Sequence, residues 1–115
     1  MGRQSVLLLH TRGRKSGKCY VTSLSYYREE STYLVVASNW GKETHPDWFY
    51  NLMQYPQTTI QVEPDKIQVE AHQAQGEEYT RFKEVVIRQN SQFLQYQRGV
   101  LRQIPILVLA SINFG

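Results

Sequence analysis

Short β-type runs, each broken by turn residues, most limit what this chain can fold into. Residues 6–9 are all aliphatic and give way to a basic stretch at 11–18, where Gly13 and Gly17 suit a hairpin connection. Residues 19–27 alternate, with Tyr20, Thr22, Leu24 and Tyr26 on one side, and predict a strand. A polar turn at 28–31 precedes β-branched and aromatic residues at 32–37, a third strand. Three strands joined this closely make an antiparallel meander.

The rest of the chain mixes helices with more strands. After a loop at 38–45 that carries Gly41, a helix is expected from Pro46, because proline suits the first turn and Asp47 complements the macrodipole. Trp48, Leu52 and Met53 are expected to face inward, and Tyr55-Pro56 ends the helix. Residues 58–62 and 67–71 read as strands around the turn Glu63-Pro64-Asp65-Lys66, the second able to run on to Ala74. Tyr79, Phe82, Val85 and Val86 repeat at helical spacing within 77–89, and a short further helix holds Phe93 and Tyr96. Residues 106–112 make the last strand. The order is α+β, with about six mainly antiparallel strands and two or three helices. So many short strands suit a closed or nearly closed barrel, which removes exposed edges, with helices over its open end.

Composition narrows the function classes. A chain of 115 residues that is 41% hydrophobic fits one domain over 1–115, with one core. Its start lies almost inside a strand, which leaves open either a preceding segment or a short natural form. The single cysteine, Cys19, excludes an intrachain disulfide, and no His/Cys spacing suggests a metal. No apolar run approaches the roughly 18–20 residues that span a bilayer, and no leader pattern is present, so the expectation is a cytoplasmic protein without stable membrane insertion. Net charge is only +3, but Arg12, Arg14, Lys15 and Lys18 fall close together. No basic stripe interleaves with the tyrosines, which argues against nucleic acid.

That cationic cluster sits in Gly13-Arg14-Lys15-Ser16-Gly17-Lys18. Glycines bring backbone N–H groups near an anion, Arg14 can fork onto a phosphate, Lys15 adds a compact charge, and Ser16 a hydroxyl. The alternative is an ordinary solvated hairpin loop. The glycine spacing is wrong for a nucleotide-hydrolysing P-loop, and Cys19 rather than a hydroxyl residue follows Lys18.

Several motifs in order make the chain resemble the F420 (deazaflavin)-dependent nitroreductase family, also called deazaflavin-dependent oxidoreductases. They are Leu7-Leu8-Leu9-x-Thr11-x-Gly13-Arg14-Lys15-Ser16-Gly17, Val35-Val36-Ala37-Ser38, His45-Pro46-x-Trp48-x-x-Asn51-Leu52, Tyr96-Gln97-Arg98 and Ile104-Pro105. The resemblance implies a split β-barrel like those that bind FMN, holding F420 in a groove. It implies hydride transfer from the reduced cofactor to a quinone, nitro compound or activated double bond. Arg14, Lys15, Ser16 and Gly17 would hold the phosphate and acidic tail. Ala37, Ser38 and Asn39 would line the ring, with Leu24, Trp40, Gly41, Trp48 and Asn51 also at the cofactor. Ser38 and Tyr96 are the implied catalytic positions, Tyr96 as a phenol able to give a proton.

The chain departs from the family pattern at Tyr20, where an arginine is usual, and at Ser23, where a proline is usual. Asn90 and Phe93 stand where tyrosines are usual. Tyr20 removes one cation, so FMN, with its shorter anionic tail, is the alternative cofactor. A non-enzymatic barrel for a cofactor or apolar ligand is the other reading. The expected partner is a small-molecule substrate, and a homodimer is compatible with the fold.

Overall fold

The computed structural model describes residues 5–112, so the ends of the expected 1–115 domain lie outside the described residues. The strands are β1 (Val6–Arg12), β2 (Cys19–Ser25), β3 (Tyr27–Glu29), β4 (Thr32–Val36), β5 (Gln57–Val62), β6 (Asp65–Gln73) and β7 (Ile106–Ser111). The helices are α1 (Asp47–Gln54), α2 (Gly76–Gln89) and α3 (Gln92–Arg98). All strands join one antiparallel sheet, ordered β2-β1-β5-β6-β7-β4-β3.

The expected six strands are therefore seven among the described residues. Residues 19–27 do not form one strand, because they serve both edges of the sheet. Cys19–Ser25 pairs with β1, whereas Tyr27–Glu29 pairs with β4. Only Tyr26 separates them, and its N–H bonds the Ser5 carbonyl at 3.0 Å, which carries the β1–β2 register one position further before the chain crosses to β4. With both edge strands joined through one residue, the sheet must curl round until its edges meet. The first strand is also longer than the apolar run suggests, because Thr11 continues the inward face of Leu7 and Leu9.

Strand alternation divides the core in two. Leu7, Leu9, Tyr33, Val35, Ile60, Val69, Leu107 and Leu109 point into the barrel, whose mouth α1 plugs with Phe49 and Leu52. Leu34, Ile106 and Val108 point outward and pack under Tyr79, Phe82, Val85 and Val86 of α2 and Phe93 of α3. Strands β4 and β7 are buried on both faces, hence their unbroken apolar runs. In α1, Phe49 and Asn51 are buried with Leu52, while Trp48 and Met53 are only partly covered. The inward face is thus turned slightly from the expected one, which leaves Trp48 at the barrel's rim.

Candidate functional site

The β1–β2 connection is a tight basic loop docked on α1. Gly17 takes φ +75°, a conformation that favours glycine, and its N–H bonds the Gly13 carbonyl at 2.9 Å. At Gly13 a Cβ would lie 2.6 Å from Ser16 Oγ and 2.9 Å from the Tyr20 ring, so this glycine makes room for the loop's own side chains. Ser16 Oγ lies 3.3 Å from Tyr20 OH and accepts the Lys18 N–H at 3.2 Å. Tyr20 thus braces the loop through a hydroxyl.

Arg14 is committed to α1. Both its backbone N–H (3.1 Å) and its Nη1 (2.8 Å) donate to Asn51 Oδ1. Its guanidinium also lies 3.6 Å from the Asp47 carboxylate and over the Tyr50 ring. Asn51, buried at 6% exposure, spends its oxygen holding the loop. The Lys15 and Lys18 side chains make no ion pair among the described residues. Lys15 is the loop's freely available cation in the groove.

Two hollows run side by side from this loop. The first, about 450 Å³, is lined by Thr11, Gly13, Arg14, Lys15, Ser16 and Asp47 among others. The second, about 460 Å³, is lined by Leu24, Val36, Ser38, Asn39, Trp40 and Tyr96 among others. Thr22 and Trp48 border both, so the two form one elongated groove. One end is cationic and hydroxyl-rich; the other mixes apolar walls with polar edges. Thr11 Oγ1 is buried in the wall and has no hydrogen-bond partner among the described residues. A buried hydroxyl left unsatisfied is costly, and one bordering a groove is available to a ligand.

The loop after β4 shapes the second hollow. Asn39, Trp40 and Gly41 have φ of 50°, 58° and 80°, a left-handed turn that is strained for a bulky residue such as Trp40. Asn39 Nδ2 stabilises it by donating to the Thr44 carbonyl at 2.9 Å. Trp40 stands 83% exposed at the groove rim. Gly41 lies beside Tyr96, where a Cβ would come within 3.1 Å of the ring. Tyr96 OH accepts from Gln92 Nε2 at 3.2 Å.

Of the expected cofactor and catalytic residues, Arg14, Lys15, Ser16, Leu24, Ser38, Asn39, Trp40, Trp48, Asn51 and Tyr96 all border the groove. Gly17, Ala37 and Gly41 do not. Gly17 shapes the hairpin, Ala37 is fully buried in the barrel, and Gly41 accommodates Tyr96. The sequence reading did not single out Thr11 and Thr22 as groove residues. Their inward parity on β1 and β2 was the available signal. Asn90 and Phe93 also line the second hollow. Asn90 Nδ2 donates to the buried Tyr27 hydroxyl at 3.0 Å.

His45 lies behind this loop, against the Phe49 and Tyr50 rings. Arg102 Nη1 donates to its Nδ1 at 2.8 Å, so that nitrogen must be unprotonated. Burial, and then the Arg102 charge, hold the His45 pKa below its ordinary 6.5. The unfolded chain therefore takes up this proton first as pH falls. The contribution of neutral His45 to stability is intact above about 6.5 and is lost progressively below it. Thermal midpoints measured across that range should fall with acidification in the wild type. They should fall less steeply in His45→Gln; equal slopes would remove His45 as the cause.

A curled antiparallel barrel with helices over its mouth and a basic loop at one end of a groove defines the split-barrel class of fold. A family model described as F420H(2)-dependent quinone reductase matches residues 1–111, and the chain belongs to that family of F420-dependent reductases. It is 37% identical over 111 residues to an F420H(2)-dependent quinone reductase of Mycobacterium tuberculosis (strain H37Rv), covering 94% of this chain and 74% of that protein. A solved F420-H2 dependent reductase, FDR-A, superposes with TM-score 0.84 at 27% identity, covering 91% of this chain and 93% of that one. A FAD-binding protein of Mesorhizobium loti shares the fold at TM-score 0.67 and 9% identity, covering 95% of this chain and 80% of that one.

Proposed function

We propose that this chain binds F420 along the groove and reduces a quinone, with nitro compounds and activated double bonds as further acceptor classes. The observation that carries the reading is the continuity of the groove, from the Lys15 loop past Trp48 to Ser38 and Tyr96. An elongated cofactor with an anionic tail and a planar ring needs that sequence of surfaces. The bound, reduced deazaflavin supplies the hydride.

The protein's part is placement and proton supply. Lys15, Ser16 and the Thr11 hydroxyl receive the phosphate and acidic tail, while Gly17 keeps the hairpin in shape. Arg14 works mainly by docking its loop on Asn51. Leu24 and Trp48 form apolar wall for the ring, and Ser38 and Asn39 meet its polar edge. Tyr96 faces the space left for an acceptor, where its phenol can give a proton to the reduced oxygen. Trp40, exposed at the rim, offers an aromatic face to that acceptor. The reading takes residues 1–115 as one domain, in the cytoplasm. Among the described residues no helix is long and apolar enough to cross a membrane. A homodimer is part of the proposal: a solved chain described as a domain-swapped dimer superposes at TM-score 0.84 and 27% identity, covering 91% of this chain and 79% of that one.

Fluorescence titration with F420 and separately with FMN tests the assignment, followed by turnover with a quinone and a nitroarene. The expected result is saturable F420 binding and quinone-dependent oxidation of the reduced cofactor. FMN binding without F420 binding would move the chain to the flavin-binding barrels. F420 binding without turnover would leave a cofactor carrier.

A further inference from the structure

Arg102, in the loop between α3 and β7, reaches back some 60 residues along the chain and makes four hydrogen bonds there. Its Nε donates to the Lys42 carbonyl at 3.0 Å, and its Nη1 to the Ala37 carbonyl at 3.2 Å and to His45 Nδ1 at 2.8 Å. Its Nη2 donates to the Ser38 carbonyl at 2.9 Å. The fork is held from its own side as well. Gln97 Nε2 donates to the Arg102 carbonyl at 2.7 Å, and Gln97 Oε1 accepts the Ile104 N–H at 2.8 Å. Glu43 accepts the Leu101 N–H with both carboxylate oxygens, each at 3.1 Å. The two loops are thereby fastened together across the end of the barrel.

In a planar trans peptide the N–H points opposite to the C=O. With the Ala37 and Ser38 carbonyls turned toward Arg102, the N–H groups of Ser38 and Asn39 turn away from it. Among the described residues those two N–H groups find no acceptor. Ser38 and Asn39 line the groove, and Arg102 does not.

We propose that Arg102 is a positioning residue that turns the Ala37–Ser38 backbone so that the Ser38 and Asn39 N–H groups face the groove as a pair of donors. Their ligand there is the carbonyl-bearing edge of the planar cofactor ring, an assignment that rests on the F420 reading above. Two preorganised backbone donors cost no reorganisation when charge builds on a bound oxygen. Arginine is required because one planar fork meets four separated acceptors; a lysine ammonium is a single point and cannot.

The test compares Arg102→Lys with the wild type, and uses Tyr79→Phe as a control. Tyr79 OH donates to the Ile104 carbonyl at 3.0 Å, so its loss loosens the same connection away from the groove. Amide NMR of the cofactor-free proteins is expected to show the Ser38 and Asn39 signals displaced in Arg102→Lys and unmoved in Tyr79→Phe. Arg102→Lys should bind F420 roughly tenfold more weakly, as expected when two neutral hydrogen bonds to the ring are weakened together. Tyr79→Phe, at matched folded fraction, should bind as the wild type does. Undisturbed Ser38 and Asn39 amides in Arg102→Lys would overturn the proposal whatever the cofactor does. Displaced amides with unaltered F420 affinity would overturn the donor role. If the wild type itself does not bind F420 while the amides still move, the positioning stands and the cofactor reading falls.

Discussion

Replacing Arg14 and Lys15 together by alanine is expected to weaken F420 binding roughly a hundredfold, the size of two lost interactions with a charged group. The two residues should contribute differently. Lys15 carries an ammonium with no ion-pair partner among the described residues, so Lys15→Ala should remove much of the salt dependence of binding. Arg14 is already engaged with Asn51 and Asp47, so Arg14→Ala should act by loosening the loop's hold on α1. The Arg14 backbone N–H still bonds Asn51 Oδ1 in that variant, and the protein should stay folded. Arg14→Lys should not restore affinity, since a lysine cannot donate to Asn51 and Asp47 in the same planar geometry. Fluorescence titrations of each variant at two ionic strengths would decide this. Affinity within twofold of the wild type in the double variant would remove the loop from the binding site.

The same loop shows what a short stretch of sequence encodes locally. Its glycines, cations and hydroxyl act through local backbone geometry and charge, which a run of six residues encodes. The strand periodicity of β1 is equally local, since each burial step depends on the next residue pointing the other way, and β4 and β7 are marked as locally by their unbroken apolar runs. The break at Tyr26 is different. Thr22, Leu24 and Tyr26 keep one face half-buried up to the bend, and only then does Tyr27, an odd position, become fully buried. That phase shift is visible in the sequence only as two adjacent tyrosines. The reason for it is the pairing of β2 and β3 with strands at opposite edges of the sheet.

Arg102 was illegible for a related reason. Nothing beside it in the chain distinguishes it from a solvated arginine, because its acceptors are carbonyls of Ala37, Ser38 and Lys42 that only the closed barrel brings near. The motif at residues 37–41 spans the loop beside the second hollow but does not separate the places of its residues. Ser38 and Asn39 border the groove, Ala37 packs the barrel, and Gly41 gives Tyr96 its place. A motif records which positions matter together, whereas their division of labour depends on which way each backbone turn faces.

Leu52→Ala should have the largest effect on stability of any change near the groove, and it should carry binding down with it. Leu52 is fully buried between α1 and the barrel interior, among the residues that surround Leu7 and Leu9. Truncating such a side chain leaves a cavity and costs about 2–5 kcal/mol. Helix α1 has eight residues, too few to be stable without packing, so Leu52 and Phe49 are what hold it in the barrel mouth. The same helix carries Trp48, which borders both hollows, and Asn51, which fixes the β1–β2 loop. A loosened α1 should therefore widen the groove and free the loop together. Urea unfolding should show a lower midpoint with an unchanged slope, and F420 affinity should fall even at temperatures where the variant is fully folded. Val21→Ala, at a position 55% exposed on the outer edge strand, should change neither. If Leu52→Ala lost stability yet bound F420 like the wild type, α1 would be a plug for the barrel and not a support for the site.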